Sequence, residues 1–220
     1  MITIYGVPIS VHVRKVVVTA TLKGIDYKLD PVIPFTPPPD WDRLSPTGLI
    51  PVITDGPFTL PDSTAICSYL DRKEASPAVV PNEDRDAARV LWFDSYAGFV
   101  FRNLIHGLFF QKVIRPGILK EATDHAAVDT ILATKRPEIF GYLEAQTTGS
   151  FLVGSALTLA DIAIVSNLIN YQYLGFKIDG TSYPNLARYA RSILTQPAVR
   201  RALENEKPFA EKMGLDRSFI

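Results

Sequence analysis

A change of pattern after about residue 75 most constrains the fold of this chain. Before it, short strand-like runs and two helical stretches follow the order β-α-β, loop, β-β-α, separated by glycine and proline. After it, strand-like composition fades and apolar residues recur at helical spacing. The sequence therefore predicts an α+β N-terminal domain over residues 1–75, a linker over 76–83 and an all-helical bundle over 84–220.

The first three elements are predicted from composition and spacing. Ile2–Tyr5 is strand-like, and the next stretch presents one helical face, made of Val13, Val16, Val17 and Ala20. Gly24 stands where a left-handed helix stop is expected. Asp26–Leu29 then reads as a second strand. A strand, a helix and a strand in this order predict a parallel strand pair.

The second half contains several helix signals. Asp84–Val113 is predicted to be one long helix that breaks at Arg115–Gly117, and a second helical region covers about residues 124–145, where Pro137 kinks or interrupts it. Thr158–Asp161 is a variant of the capping box and predicts a structural role for Asp161. Two further helices begin at prolines suited to a first turn, Pro184 and Pro197.

Composition excludes several classes of function. Lysine and arginine number 23 and aspartate and glutamate also number 23, so no global charge attracts nucleic acid or an anionic membrane. No apolar run reaches the roughly 18 to 20 residues that span a bilayer, and the first ten residues make a poor signal peptide. A cytoplasmic protein is expected. The single cysteine, Cys67, excludes an internal disulfide, and we expect it to be buried rather than redox-active.

The segment Ile50–Ile66 carries the strongest functional signal. It reads as two short strands joined by a turn, followed by Asp62 and Ser63 at the start of a helix. Pro51 stands at the mouth of the first strand, where it cannot donate to a ladder. A carboxylate, a hydroxyl and free helix amides meet at one place, which predicts a surface for an extended, peptide-like ligand.

An ordered set of motifs is similar to the glutathione S-transferase family over essentially the whole chain. The matching segments are Tyr5–Ser10, Arg14–Val16, Lys23–Tyr27, Ser45–Val52, Asp62–Ile66, Leu157–Asp161, Tyr183–Leu186 and Gln196–Val199. The resemblance implies a thioredoxin-like N-terminal domain, an all-helical C-terminal domain and a homodimer. It also implies glutathione as co-substrate and a hydrophobic electrophile as second substrate.

Ser10 is the candidate catalytic residue. Glutathione reacts as a thiolate, and a model cysteine thiol has a pKa of about 8.5, so catalysis needs a donor that favours the charged form. Ser10 lies between the first strand and the first helix and matches the serine of serine-type family members. The alternative is that Ser10 only caps the helix.

The resemblance assigns glutathione binding to four residues. Pro51 would be cis and would turn the backbone of Ile50 toward the cysteinyl part of the ligand, in the manner of an added strand. Asp62 and Ser63 would hold the γ-glutamyl end. The alternatives are a trans proline that starts an edge strand and two ordinary helix caps. Leu49 stands where many relatives carry lysine, so this position offers no charge to the glycyl carboxylate.

The electrophile pocket is predicted less directly. His12 would line it or assist proton transfer, unless it is a solvated helix residue. Phe99, Asn103 and His106 share one helical stripe, which would form a pocket wall, core or dimer interface.

These assignments predict an enzyme in which the glutathione thiolate attacks an electrophilic carbon of a hydrophobic small molecule. The alternative is a non-catalytic member that carries hydrophobic ligands or serves as a subunit of an assembly. The sequence contains no G-x-S-x-G elbow, phosphate-cradling loop or dinucleotide fingerprint, and no histidine cluster suited to a metal.

Overall fold

The N-terminal part of the computed structural model, which describes residues 1–220, is a four-stranded sheet with helices. The strands are β1 (Ile2–Tyr5), β2 (Tyr27–Asp30), β3 (Val52–Asp55) and β4 (Phe58–Pro61). Their order is β2-β1-β3-β4; β1 is parallel to β2 and antiparallel to β3, and β3 and β4 form an antiparallel hairpin. The predicted parallel pair and hairpin are confirmed.

Three helices accompany the sheet, namely α1 (Val11–Leu22), α2 (Trp41–Leu44) and α3 (Ser63–Lys73). Helix α1 is buried along most of its length because valines occupy nearly every turn. Gly24 has φ +65° just after this helix, which confirms the predicted stop. Glycine adopts this left-handed conformation at little cost in free energy because it has no Cβ. The proline-rich segment after β2 is irregular apart from the single turn of α2.

The remaining chain is helical. Helix α4 (Asp84–Val100) continues without a break through π-helical turns (Phe101–Ile105), α5 (His106–Phe109) and a second π-helical stretch (Phe110–Leu119). It is followed by α6 (His125–Gln146), α7 (Leu159–Tyr173), α8 (Pro184–Leu194) and α9 (Pro197–Lys212). The predicted fold class is confirmed.

The predicted break at Arg115–Gly117 is wrong, and so is the alternative that Pro137 interrupts its helix. The long helix does not break at Arg115–Gly117; it includes Pro116 and ends before Lys120, which adopts the left-handed conformation of a helix stop. Helix α6 runs through Pro137 to Gln146 without interruption. Pro137 lies on the exposed face, so the carbonyl that loses its partner, that of Ala133, reaches solvent.

Asp161 organises the start of α7 as predicted. It completes a capping box with Thr158 and also accepts hydrogen bonds from the Leu152 amide (2.8 Å) and the Tyr189 hydroxyl (2.9 Å). Burial raises the pKa of Asp161, and these donors oppose that rise. The residue therefore has a structural role.

The two halves share one core. A single cluster of buried apolar side chains runs from the sheet through α1 into the helices, and α1 packs against α3, α7 and α9. Residues 76–83 form hydrogen bonds with both halves of the chain. Lys23 Nζ donates to the Pro77 carbonyl (2.7 Å), and the Leu159 amide donates to the Val79 carbonyl (2.9 Å). No helix combines the length and apolarity needed to cross a bilayer.

Candidate functional site

The sheet register brings three loops to one end of the sheet. Tyr5 at the end of β1 pairs with Val52 at the start of β3, and Val52 pairs with Pro61 at the end of β4. The segments that adjoin this row contain Ser10, the Ile50–Pro51 bond and Asp62–Ser63. Residues far apart in sequence therefore converge because three strand ends coincide.

The loop before β3 is held in place by close packing. Gly6 has φ +147°, and a Cβ there would lie 2.5 Å from Val13 Cγ2 and 3.2 Å from Ile50 Cβ, so only glycine lets these parts approach. Ile50 also packs on a small second core made of Val32, Trp41 and Val52. The site backbone is thus positioned by buried apolar contacts.

The Ile50–Pro51 peptide bond is cis, as predicted. Ile50 precedes β3, and neither its N–H nor its carbonyl forms a hydrogen bond within the protein. A half-buried residue with both backbone groups unpaired leaves one donor and one acceptor available to an extended ligand.

Ser10 occupies the N-cap position of α1, but its hydroxyl makes no capping hydrogen bond. The side chain is half-buried and keeps its proton and lone pairs available. The preceding carbonyl, that of Ile9, accepts from Arg14 Nη2 (3.3 Å) and Asn170 Nδ2 (3.2 Å), which fixes the backbone at the start of the helix. The hydrogen bond that the helix-capping alternative requires is therefore absent.

Asp62 has φ +76°, an uncommon conformation outside glycine, and its side chain caps α3. Oδ1 accepts from the amides of Thr64 (2.9 Å) and Ala65 (3.0 Å), so these two amides are not free for a ligand. Oδ2 has no partner, and the residue is exposed. Capping is thus present, and one carboxylate oxygen remains open beside the buried Ser63.

A buried ion pair lies behind Ser63. Lys15 Nζ is 2.6 Å from Asp94 Oδ1 and donates to Thr64 Oγ1 at 3.0 Å, while Thr64 donates to Asp94 Oδ2 at 2.6 Å. The three residues come from α1, α3 and α4, so the cluster ties the start of α3 to both domains. Sequence reasoning missed it because nothing local pairs these positions.

His12 bridges the two halves of the site. Its Nδ1 is 3.4 Å from Ser63 Oγ, and its ring packs edge-to-face on Phe101, with centroids 4.8 Å apart. Phe101 in turn contacts the exposed His106 at 5.7 Å. Burial, with the nearby charge of Lys15, lowers the pKa of His12 from 6.5 to about 4, so its imidazole is neutral at pH 7.

The predicted stripe on the long helix divides into two groups. Phe99 stacks on Tyr96, which contacts Trp92 and Tyr142 of a separate aromatic cluster, and Asn103 Nδ2 donates to the Phe99 carbonyl at 2.9 Å. His106 instead joins His12 through Phe101. Phe101 was missed because it lies off the stripe by sequence spacing.

Cys67 is fully buried in α3, and burial raises its pKa to about 11. A thiol of this kind is unreactive at neutral pH, which agrees with the expected packing role.

The buried neutral state of His12 predicts a pH-dependent stability. The unfolded chain takes up a proton near pH 6.5 and the folded chain only near pH 4, so stability falls as pH decreases through this window. The loss per pH unit is at most about 1.4 kcal/mol. The charged neighbours that modulate it are Lys15, Asp62 and Asp94.

The variant His12→Phe removes this titration and keeps a ring. Denaturant midpoints of wild type and variant, measured from pH 4 to 6.5, should differ by an amount that changes with pH in favour of the variant at low pH. A constant difference would contradict the assignment.

Two domain models of one known family match the chain over most of its length. The model of the glutathione S-transferase N-terminal domain matches residues 4–78, and that of the C-terminal domain matches residues 109–206. A glutathione S-transferase of Triticum aestivum is 29% identical over 213 residues, which cover 94% of this chain and 95% of the relative. Glutathione S-transferase 3 of Zea mays is 32% identical over 164 residues, 72% of each chain. The chain belongs to the glutathione S-transferase family.

The fold agrees with solved members of this family. A glutathione S-transferase from Rhodospirillum rubrum F11 superposes with a TM-score of 0.84 over 92% of both chains, at 22% identity. The predictions of a glutathione transferase enzyme and of glutathione as its co-substrate are confirmed. The roles of individual residues, the serine-type subclass and the domain boundaries stay predictions.

Proposed function

We propose that this glutathione transferase is of the serine type and that Ser10 stabilises the thiolate of bound glutathione. The observation that carries the proposal is the uncapped Ser10 hydroxyl at the start of α1. There it can donate to a sulfur anion, and the positive end of the helix dipole favours the same charge. Both effects lower the pKa of the thiol and raise the fraction of reactive thiolate.

The backbone of Ile50 would align the tripeptide. Its free N–H and carbonyl form one rung of an added antiparallel strand, with the cis Pro51 next to it. Asp62 Oδ2 would meet the γ-glutamyl ammonium, and Ser63 Oγ would meet the γ-glutamyl carboxylate. Asp62 already accepts hydrogen bonds from the Thr64 and Ala65 amides. Ser63 would therefore contribute more to binding of the γ-glutamyl carboxylate than these helix amides.

The electrophile would bind between a unit of residues 1–75 and a unit of residues 84–220, joined by 76–83. Its wall would include His12, Phe101 and His106, which form a continuous aromatic surface beside Ser63. Phe99 and Asn103 would contribute from the neighbouring aromatic cluster. An apolar carbon electrophile fits such a wall better than a charged one.

The protein would act as a homodimer in the cytoplasm. Several large apolar side chains are exposed on the single chain, among them Phe58 on β4 and Leu91 and Trp92 on α4. Side chains of this size are enriched where a second copy buries them. Sedimentation should give twice the 24.4 kDa chain mass.

Retention on immobilised glutathione, followed by turnover of an activated chloronitrobenzene, tests the proposal. Both are expected, and release of chloride should match the thioether formed. A protein that is neither retained nor active would support the non-catalytic carrier instead.

Leu49 predicts a weak contact at the glycyl end of glutathione. Its side chain is 64% exposed and offers no charge to the glycyl carboxylate. The variant Leu49→Lys should lower the KM for glutathione by about two- to fivefold, the range of an exposed ion pair. The gain should vanish at high salt.

Two controls isolate the charge in this experiment. Leu49→Gln is polar but uncharged, and the glycyl ethyl ester of glutathione lacks the carboxylate. An equal gain in either control would show that the effect of lysine is not an ion pair.

A further inference from the structure

The contact between His12 and Ser63 determines whether the Ser63 hydroxyl can donate a hydrogen bond to a ligand. A serine hydroxyl carries one hydrogen, so Ser63 can donate to only one acceptor at a time. If His12 Nδ1 is unprotonated, Ser63 satisfies it and has no hydrogen left for a ligand carboxylate. If Nδ1 carries the proton, it donates to Ser63 Oγ, and the serine hydrogen is available.

The imidazole supplies only one N–H. Burial keeps His12 neutral, so either Nδ1 or Nε2 carries the proton, but not both. Nδ1 lies 3.4 Å from Ser63 Oγ, and Nε2 has no hydrogen-bond partner within the protein. The tautomer is therefore set by Ser63 and by whatever Ser63 binds, rather than by a fixed partner on the far side of the ring.

Phe101 sets the orientation of the His12 ring. The His12 ring meets Phe101 at an interplanar angle of 69° and a centroid distance of 4.8 Å, a favourable edge-to-face contact. Phe101 lies in the first π-helical turn after α4, a kind of turn that is frequent at functional sites. One side chain thus contacts a glutathione-binding candidate and the aromatic wall.

We propose that His12 is a positioning residue whose Nδ1–H tautomer donates to Ser63 Oγ, which orients the Ser63 hydrogen toward the γ-glutamyl carboxylate, while its ring supports Phe101 on the electrophile side. This inference rests on the proposed function and assigns one chemical group to each substrate. The N–H serves glutathione, and the ring serves the electrophile.

Three substitutions separate the two groups. The side-chain amide of His12→Asn can place an N–H near the Nδ1 position but lacks the ring. His12→Phe keeps the ring and lacks the N–H. His12→Gln moves the amide toward the Nε2 position and is the matched control for His12→Asn.

Steady-state kinetics should show opposite patterns in these variants. His12→Phe should raise the KM for glutathione about three- to tenfold, because Ser63 Oγ loses the donor that orients its hydroxyl, and should leave the KM for the electrophile within about twofold of wild type. His12→Asn should do the reverse, raising the electrophile KM about three- to tenfold, the range of one lost aromatic contact. His12→Gln should raise both.

A purely structural role would change stability and both KM values together, and that result would overturn the proposal. The Ser63→Ala background adds a second test. There, His12→Phe should have no further effect on the KM for glutathione, since its target is gone. Additive effects of the two substitutions would contradict the coupling.

The tautomer itself is read by nitrogen-15 NMR of histidine-labelled protein. The chain has three histidines, and the His12→Asn spectrum assigns the signal that belongs to His12. With S-methylglutathione bound, Nδ1 should have the shift of a protonated ring nitrogen and Nε2 that of an unprotonated one. The opposite pattern overturns the proposal.

Different results would reject the proposed roles of Ser10 and His12. Absence of wild-type turnover with retained binding of S-methylglutathione would reject Ser10 chemistry and leave the His12 tautomer measurable. Normal wild-type turnover with no kinetic separation among the His12 variants would reject the role of His12 alone.

Discussion

The variant Ser10→Ala is expected to lower glutathione-dependent turnover by about 100-fold or more, which is the cost of removing one donor from a developing or stabilised anion. The hydroxyl is the only side-chain donor assigned to the sulfur, and it has no competing capping bond in the protein. Without it, the thiol of bound glutathione should ionise closer to the ordinary value of about 8.5. The pH at which turnover is half-maximal should therefore move upward.

Thiolate ultraviolet absorbance, followed against pH with glutathione bound, measures this shift directly. Retention on immobilised glutathione should persist, because Ile50, Asp62 and Ser63 are unchanged. Ser10→Thr keeps a hydroxyl and should retain much more activity than Ser10→Ala. Unchanged turnover together with an unchanged thiol titration would reject Ser10 as the stabilising residue.

The parts of the site that sequence could predict are those with local causes. Ser10 precedes a run of helix-spaced valines, and Asp62 precedes a second helix, so each position follows from a helix start. The convergence of their loops follows from strand order, since the βαβ unit and the hairpin place three strand ends together. Local pattern and topology together were sufficient for these positions, whereas the proposed roles of the residues come from the family resemblance.

The parts that could not be predicted depend on long-range packing. Phe101 reaches His12 from the first residue of a π-helical turn, where the residue spacing departs from the one that sequence periodicity assumes. Lys15 meets Asp94 across a domain junction, and no single-sequence pattern pairs a lysine with an acid so far along the chain. The helix through Pro116 was mispredicted because breaker rules assume regular α-helical bonding.

Arg14 is the clearest case of such a residue, and it carries the largest expected effect on stability. It is fully buried, and all five of its N–H donors are used. Nε and Nη2 contact Glu206 at 2.6 and 2.7 Å, Nη1 donates to the Ser166 carbonyl and Asn170 Oδ1 at 2.8 Å, and Nη2 also reaches the Ile9 carbonyl. The arginine joins α1 to α7 and to α9, where its partner Glu206 is 192 residues away in sequence.

Arg14→Met is expected to lower the free energy of unfolding by about 3–5 kcal/mol, because it leaves the Glu206 carboxylate buried without its cation. Arg85→Met, on the exposed surface of α4, is the matched control and should change stability by less than about 0.5 kcal/mol. Urea unfolding at one pH and one protein concentration measures all variants. A loss below about 1 kcal/mol in Arg14→Met would contradict the buried charge.

The double variant Arg14→Met/Glu206→Leu separates charge from position. It should recover part of the lost stability, because it removes the unpaired buried carboxylate. The recovery is incomplete because Asn170 Oδ1 loses its donor and the Tyr173 hydroxyl loses its acceptor. Its activity should stay below that of wild type, since the Ile9 carbonyl then keeps only Asn170 as donor and the backbone before Ser10 is less firmly held. Full activity in the double variant would show that Arg14 serves the fold alone. Activity lost by more than the remaining loss of stability explains would show that this buried arginine also positions Ser10, the proposed catalytic residue.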